Sequence, residues 1–303
     1  MSPIQKVAVF GAAGNFGGPI TSALLEAGYT VTVVTRRDSR AEFPPAVSSV
    51  VRTSGYADLA ELHSALRGQD AAICALAPGA LPFQEGIVVA AEAAGLRRLV
   101  VSDFGWGPDH RRHLPDFADI GDARSVPVHR ARALARSNPA FSWTAVAIGN
   151  PIEWALKKFP TMGFDISTNT AIIYDTGTET FTGTTTQGIA QAVIGVLRNP
   201  DETANRVVRV RSVQTCQQEL LAAFRDATPG REWTVRHETV ASLIERGRAK
   251  REEGLPWHLD LAVAQLYEEG QARSVLVSRQ DSDNDLVGVR DETVAEVVAK
   301  VLA

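Results

Sequence analysis

The first half of the chain alternates short apolar runs with segments in which apolar residues recur every three or four positions. The apolar runs predict buried strands, at residues 6–10, 30–35, 71–76, 99–102 and 143–148. The helical spacing predicts amphipathic helices, at residues 17–28, 57–66, 84–94 and 128–136. Strands that alternate with helices over short connections require right-handed crossovers. We therefore predict an α/β fold in which a doubly wound parallel sheet is covered by helices on both faces.

The pattern changes after residue 150. Short apolar runs at 171–174 and 206–210 are mixed with further helical patterns, at residues 189–198, 217–227, 240–253 and 259–269. We expect a domain over residues 1–150 and a smaller α+β lobe over residues 151–303, partly interleaved with the first. The smaller lobe is expected to cover the carboxyl ends of the sheet.

Charge and composition narrow the class of protein. The 303 residues hold 31 Lys and Arg against 35 Asp and Glu, a net charge of -4, so no broad basic field is present and no nucleic-acid partner is expected. No apolar run reaches the ~18 residues of a membrane span, and the N-terminus leads directly into the first strand. We expect a cytoplasmic protein without a membrane partner. The two cysteines and six histidines have no metal-ligand spacing, so no metal is expected.

A glycine-rich turn follows the first predicted strand and opens the first predicted helix. Gly11, Gly14 and Gly17 form a GxxGxxG pattern that includes Asn15 and Phe16. Gly11 permits a tight turn, Gly14 lets backbone amides approach a diphosphate, and Gly17 lets the helix pack close to the strand. The N-terminus of the helix adds free N–H donors and a positive dipole. The turn predicts a dinucleotide-binding site at residues 11–17.

The end of the second predicted strand indicates which dinucleotide is bound. An Asp or Glu at this place would bind the ribose hydroxyl of NAD. The chain has Thr35, Arg36 and Arg37 instead, with Asp38 following. Guanidinium groups suit the 2′-phosphate of NADP by charge and by their forked geometry. We therefore predict NADP(H) as the cofactor, with NAD(H) less favoured and Arg36 as the main phosphate contact.

Several segments, taken in order, resemble the NmrA-like and isoflavone reductase-like group of atypical short-chain dehydrogenases. The turn GAAGNFGG is followed by TRR, and residues 93–105 read AAGLRRLVVSDFG. Residues 56–70, 183–186 and 205–210 match looser parts of the same pattern. The resemblance covers nearly the whole chain, and its motifs are specific for family and fold but not for substrate.

The resemblance implies NADP(H) at the carboxyl edge of the sheet and a small-molecule substrate between the two lobes. It also implies a set of residues around the nicotinamide half of the cofactor: Ala75, Leu76, Ala77, Ser102, Phe104, Gly149, Asn150, Pro151 and Ile152. The general behaviour of open α/β sheets agrees, because their ligands collect beyond the carboxyl ends of the strands. Trp106, Glu153 and Trp154 are candidates for contact with the substrate.

The sequence departs from the known short-chain dehydrogenase motifs at the proton donor. Hydride transfer to a carbonyl needs an acid for the developing oxyanion. None of the four tyrosines has the Lys four residues later that standard short-chain dehydrogenases use. The isoflavone reductase branch has a lysine at the start of a helix, and the matching residues 126–134 contain none. His129 in that stretch is the nearest candidate for the catalytic acid.

Three functions remain open at this point. The first is an NADP(H)-dependent oxidoreductase acting on a small hydrophobic, including aromatic, carbonyl or alkene. The absent lysine leaves room for a second, a non-catalytic NAD(P) redox sensor that regulates a partner. The third is a biosynthetic tailoring enzyme, an isomerase or cyclase, that retains the nucleotide site. We expect substrate selection to lie in the smaller lobe and in residues 106–124, and the sequence leaves the oligomeric state open.

Overall fold

The computed structural model describes residues 3–108, 115–158 and 160–303, and a seven-stranded parallel sheet lies at its centre. In spatial order the strands are β3 (Ser49–Thr53), β2 (Thr30–Arg36), β1 (Lys6–Phe10), β4 (Ala71–Cys74), β5 (Arg98–Val101), β6 (Ser142–Ala147) and β10 (Arg206–Arg209). The order reverses at β1, because β2 and β3 lie on one side of it and the later strands lie on the other. A crevice therefore opens between the carboxyl ends of β1 and β4.

Helices cover both faces of this sheet: α1 (Gly17–Glu26), α2 (Leu59–Leu66), α3 (Gln84–Ala93), α4 (Ala118–Ser137), α6 (Thr186–Arg198) and the short α10 (Asn284–Val287). Alternate residues of β1 face opposite layers, as the pleat of a strand requires. Val7 and Val9 pack with α1 and α6, whereas Ala8 and Phe10 pack with α2, α3 and α4. The predicted doubly wound parallel sheet is confirmed.

A smaller lobe holds the remaining elements: α5 (Ile152–Lys158), β7 (Phe164–Asp165), β8 (Thr170–Tyr174), β9 (Phe181–Gly183), β11 (Val213–Thr215), α7 (Gln217–Ala227), β12 (Thr234–Glu238), α8 (Val240–Glu252), α9 (His258–Tyr267) and α11 (Val294–Leu302). It contains a three-stranded sheet, a two-stranded sheet and its own apolar core. Within the described ranges, no helix combines the length and apolarity that a bilayer span needs.

The chain crosses between the two lobes more than once. The sequence pattern predicts residues 206–210 in the smaller lobe, but β10 pairs in parallel with β6 at the edge of the large sheet. α6 also packs on the large sheet. Helix α4 begins at Ala118 rather than at the predicted residue 128, so part of the segment 106–124 is helical. Residues 109–114 of that segment lie outside the described residues.

Candidate functional site

The turn after β1 excludes a side chain at Gly11 and Gly17 and leaves little room for one at Gly14. Gly11 has φ +75°, and a β-carbon there would lie 2.1 Å from the carbonyl oxygen of Ala75 at the end of β4. A β-carbon on Gly17 would lie 2.0 Å from the Gly11 oxygen, and one on Gly14 would lie 3.1 Å from the same atom. The Gly14 N–H donates to the Gly11 oxygen at 2.8 Å. The turn is therefore tight, and its backbone lies directly against the end of β4.

Helix α1 begins at this turn and offers its N-terminus to a ligand. Phe16 is the N-cap residue and its side chain makes no capping hydrogen bond, while the first turn of the helix carries no acidic residue. Gly18 donates its N–H to the Gly14 oxygen at 2.8 Å and Pro19 has no N–H, so it is the helix dipole that places positive potential at this end. This end of α1 is suited to an anion such as a diphosphate.

A first cavity of about 580 Å³ lies beside the turn, on the β2 side. Thr35 and Arg36 line it together with the glycine turn and Tyr56. The Arg36 side chain is 63% exposed, and its Nε lies 3.7 Å from Asp38 Oδ1. Arg37 is directed elsewhere, because its guanidinium donates to Glu61 at 3.3 Å and it does not line the cavity. Of the two predicted arginines, the structure brings Arg36 to the groove.

A second cavity of about 460 Å³ lies between the turn and the smaller lobe. It shares Gly14, Ala75, Leu76 and Ala77 with the first, so the two cavities run along one groove. Nine predicted site residues form much of its remaining wall: Asn15, Phe16, Ser102, Phe104, Trp106, Gly149, Asn150, Pro151 and Trp154. Arg124, which was not a predicted site residue, also lines it. Helix α9 of the smaller lobe lines the cavity with apolar side chains, among them Leu259, Val263 and Leu266. The cavity is mostly apolar with a few polar groups, as is typical of small-molecule sites.

Ser102 stands at the end of β5 and is fixed by two hydrogen bonds. Its N–H donates to Gln84 Oε1 at 2.6 Å, and its hydroxyl oxygen accepts from the Leu76 N–H at 3.2 Å. Gln84 is fully buried. Because the hydroxyl oxygen accepts the Leu76 bond, the hydroxyl hydrogen is directed away from Leu76 and can donate to another group. Ser102 is thus a positioned hydroxyl on the cavity wall.

Aromatic rings join the glycine turn to the smaller lobe. Phe16 lies edge-on to Trp154 of α5, with ring centroids 5.8 Å apart, and 6.2 Å from Phe104. Phe104 has φ +37°, a conformation that costs a non-glycine residue free energy and often occurs at functional sites. Gly149 at the end of β6 has φ +66°, and a β-carbon there would lie 2.8 Å from the Thr182 oxygen. These bends direct the chain around the cavity.

Of the residues predicted around the nicotinamide and the substrate, three do not line the second cavity. His129 is exposed on α4, whose buried positions nearby are Val128 and Ala131, and it does not line the cavity. Glu153 is buried, and its Oε1 accepts from the amide and the hydroxyl of Thr186 at 2.5 Å each, which anchors the start of α6. Ile152 is fully buried in the core of the smaller lobe.

Arg124 and the residues of α9 are cavity residues that the sequence analysis does not single out. Arg124, Val128 and Ala131 are spaced by four and three positions, so they share one face of α4. This helical spacing would have placed Arg124 on the same face as Val128, but the predicted helix starts at residue 128 and leaves Arg124 outside it. For α9 the sequence predicts the helix, and only the tertiary fold places it over the cavity.

Comparison with known proteins agrees with this geometry. Residues 11–200 match the model of a family described as NAD(P)H-binding. The chain is 51% identical over 293 residues to oxidoreductase poxI of Penicillium oxalicum, covering 96% of this chain and 92% of that protein. It is 30% identical over 302 residues to oxidoreductase aprR of Aspergillus flavus, covering 98% of each.

Solved structures resemble the whole fold. The structure of AtPrR2 with NADP+ and (+)pinoresinol has a TM-score of 0.81 at 19% identity, covering 99% of this chain and 100% of that chain. An isoflavone reductase has a TM-score of 0.76 at 16% identity over the same shares of the two chains. The NADPH complex of the Escherichia coli quinone oxidoreductase QOR2 has a TM-score of 0.71 at 20% identity, covering 98% of this chain and 100% of that chain. The chain belongs to the NAD(P)H-binding family. Its relatives poxI and aprR are oxidoreductases, and it shares its fold with an isoflavone reductase.

Proposed function

We propose that this protein is an NADP(H)-dependent oxidoreductase that reduces a small hydrophobic, including aromatic, carbonyl or alkene. The observation that carries this proposal is the single groove across the glycine turn, formed by two cavities that share Gly14 and residues 75–77. A dinucleotide is a long ligand with a charged centre, and the groove has an anion-binding turn at its centre with a cavity on each side. The apolar second cavity leaves room for a substrate beside the nicotinamide.

The residues present fit NADP(H). The amides of residues 11–17 and the N-terminus of α1 would bind the diphosphate, and Arg36 would bind the 2′-phosphate. Ser102, Phe104 and Asn150 would border the nicotinamide ring. When bound, the cofactor supplies a hydride. The NADP+ bound in AtPrR2 and the NADPH bound in QOR2 support the choice of the phosphorylated cofactor.

The proton would come from Ser102 rather than from His129. Ser102 is the hydroxyl that β5 holds on the wall of the second cavity, whereas His129 lies on the outer side of α4. Arg124 also lines this cavity, but a guanidinium remains protonated and stabilises negative charge without giving up its proton. The Ser102 hydroxyl would therefore hydrogen-bond the substrate oxygen and pass its proton on while it takes one from water, which leaves hydroxide in the solvent.

The test of the proposed cofactor compares two neighbouring arginines. Arg36→Ala is expected to weaken NADPH binding about tenfold to a hundredfold, the value of a hydrogen bond to a charged group, and to leave NADH binding nearly unchanged. Arg37→Ala is the matched control, because Arg37 is paired with Glu61 outside the cavity. Calorimetric titration with each cofactor measures both effects.

Equal losses of NADPH affinity in the two variants would contradict the role of Arg36. If wild-type protein responds to neither cofactor, the oxidoreductase proposal fails entirely. If it binds NADPH but a broad panel of quinones, enones and aromatic ketones gives no oxidation at 340 nm, the redox-sensor alternative replaces it.

A further inference from the structure

We propose that Arg124 makes the second cavity selective for substrates that carry a planar oxyanion, such as a carboxylate. The inference rests on the proposed function only in taking this cavity as the place of the substrate. Arg124 lies on the inward face of α4 and lines a cavity whose other walls are mainly aromatic and aliphatic side chains. A charged side chain on such a wall is destabilising unless a partner of opposite charge or a hydrogen-bond acceptor binds it.

The contacts of Arg124 leave part of its guanidinium without a partner. Its Nε is buried and has no hydrogen-bond partner among the described residues. A buried donor without an acceptor is destabilising, so proteins keep few of them, and each calls for a ligand, a water or a functional explanation. A ligand oxygen entering from the cavity would satisfy this donor after a small rotation of the guanidinium group.

The other side of the guanidinium faces the chain. A β-carbon on Gly105 would lie 2.7 Å from Arg124 Nη1 and 3.4 Å from Asp103 Oδ1, so both groups flank Gly105. Nη1 is therefore directed towards the wall that carries the Asp103 carboxylate. The opposite edge of a guanidinium, formed by Nε and Nη2, is the edge that binds both oxygens of a carboxylate. In this arrangement Nη1 lies beside Gly105, and the edge that contains Nε remains for the ligand.

Asn150 provides a second unsatisfied atom in the same cavity. Its Oδ1 is buried without a hydrogen-bond partner among the described residues, and the residue lines the cavity at the end of β6. An amide oxygen accepts hydrogen bonds and does not bind an anion, so it would receive a hydroxyl or N–H of the substrate. Together the two residues favour an amphiphilic molecule with an apolar body, an oxyanion and a separate donor.

The test uses two aromatic probes of the same shape, 2-naphthoate and its neutral amide 2-naphthamide. Calorimetry of wild-type protein saturated with NADP+ is expected to give about tenfold or more tighter binding of naphthoate, because only the anion forms an ion pair with two parallel hydrogen bonds to Arg124. Arg124→Met is expected to remove this preference, and Arg124→Lys to retain part of it, since lysine keeps the charge and loses the fork. Arg130→Met is the matched control, because Arg130 is exposed on the same helix.

The result that would overturn the inference is equal affinity of wild-type protein for the two probes, or a preference that survives in Arg124→Met. Binding of neither probe at millimolar concentration would overturn it as well. NADPH titration of each variant separates this result from the proposed function, because the cofactor affinity of Arg124→Met is expected to stay within about twofold of wild type. If NADP+ itself does not bind, the probe pair is compared on the cofactor-free protein, where the same preference is expected.

Discussion

At the scale of single residues, two adjacent glycines at the start of α1 have different roles. A β-carbon on Gly17 would lie 2.0 Å from the Gly11 oxygen, whereas one on Gly18 would meet nothing closer than 3.9 Å. Gly17→Ala is expected to lower the free energy of unfolding by about 1–3 kcal/mol, the usual cost of overpacking, and to weaken NADPH binding by displacing the turn. Urea unfolding and cofactor titration measure the two effects.

Gly18→Ala serves as the control for this prediction. The added methyl group has room, and alanine is a better helix former than glycine, so the variant is expected to be as stable as wild type or up to about 1 kcal/mol more stable. A Gly17→Ala protein with wild-type stability and cofactor affinity would show that the turn moves easily. The sequence predicts this turn well, because the Gly11 oxygen a few residues away constrains Gly14 and Gly17, and Gly11 itself has a positive φ.

At the scale of elements, the register of α4 decides which of its side chains can act in the cavity. The helix presents Arg124, Val128 and Ala131 inward, and His129 is rotated about 100° from Val128, because each residue turns an α-helix by that angle. His129→Ala is therefore expected to retain at least half of wild-type turnover. Ser102→Ala is expected to lose about 100-fold or more in kcat, the lower range for removing a positioned acid. Steady-state NADPH oxidation measures both variants.

The reverse outcome, with Ser102→Ala active and His129→Ala inactive, would return the catalytic acid to α4. The two variants are comparable because each removes one small polar side chain.

The elements that the sequence predicts well are those with a clear apolar pattern. The runs that form β1, β2, β4, β5 and β6 are buried on both faces and are found to within about two residues. Strand β3 is missed because it is largely exposed at the sheet edge and its residues Ser49–Thr53 have no apolar run. The start of α4 is missed because residues 118–127 contain Gly121 and Pro127, two residues that are unfavourable in a helix.

At the scale of the whole molecule, the order of strands in space cannot be read from any local segment. The run at 206–210 predicts a strand, but only pairing with β6 decides that it belongs to the large sheet. The same holds for α6, whose Ile189 and Val193 complete the core that Ile20 and Leu24 of α1 begin. Which strands share a sheet depends on contacts between residues far apart in sequence. A domain boundary placed near residue 150, where the apolar pattern changes, therefore separates segments that pack together.

This interleaving predicts that residues 1–150 do not form a stable domain alone. Without β10, the edge of β6 is left with unpaired backbone groups, and without α6 the apolar faces of α1 and of the sheet strands are exposed to water. A fragment of residues 1–150 is expected to aggregate or to unfold without a cooperative thermal transition, and to bind NADPH at least 100-fold more weakly than the full chain. Circular dichroism melting and cofactor titration of the two proteins test this. A fragment that melts cooperatively and binds NADPH as tightly as residues 1–303 would mean that the seventh strand and α6 add little, and that the nucleotide domain is complete in the first half of the chain.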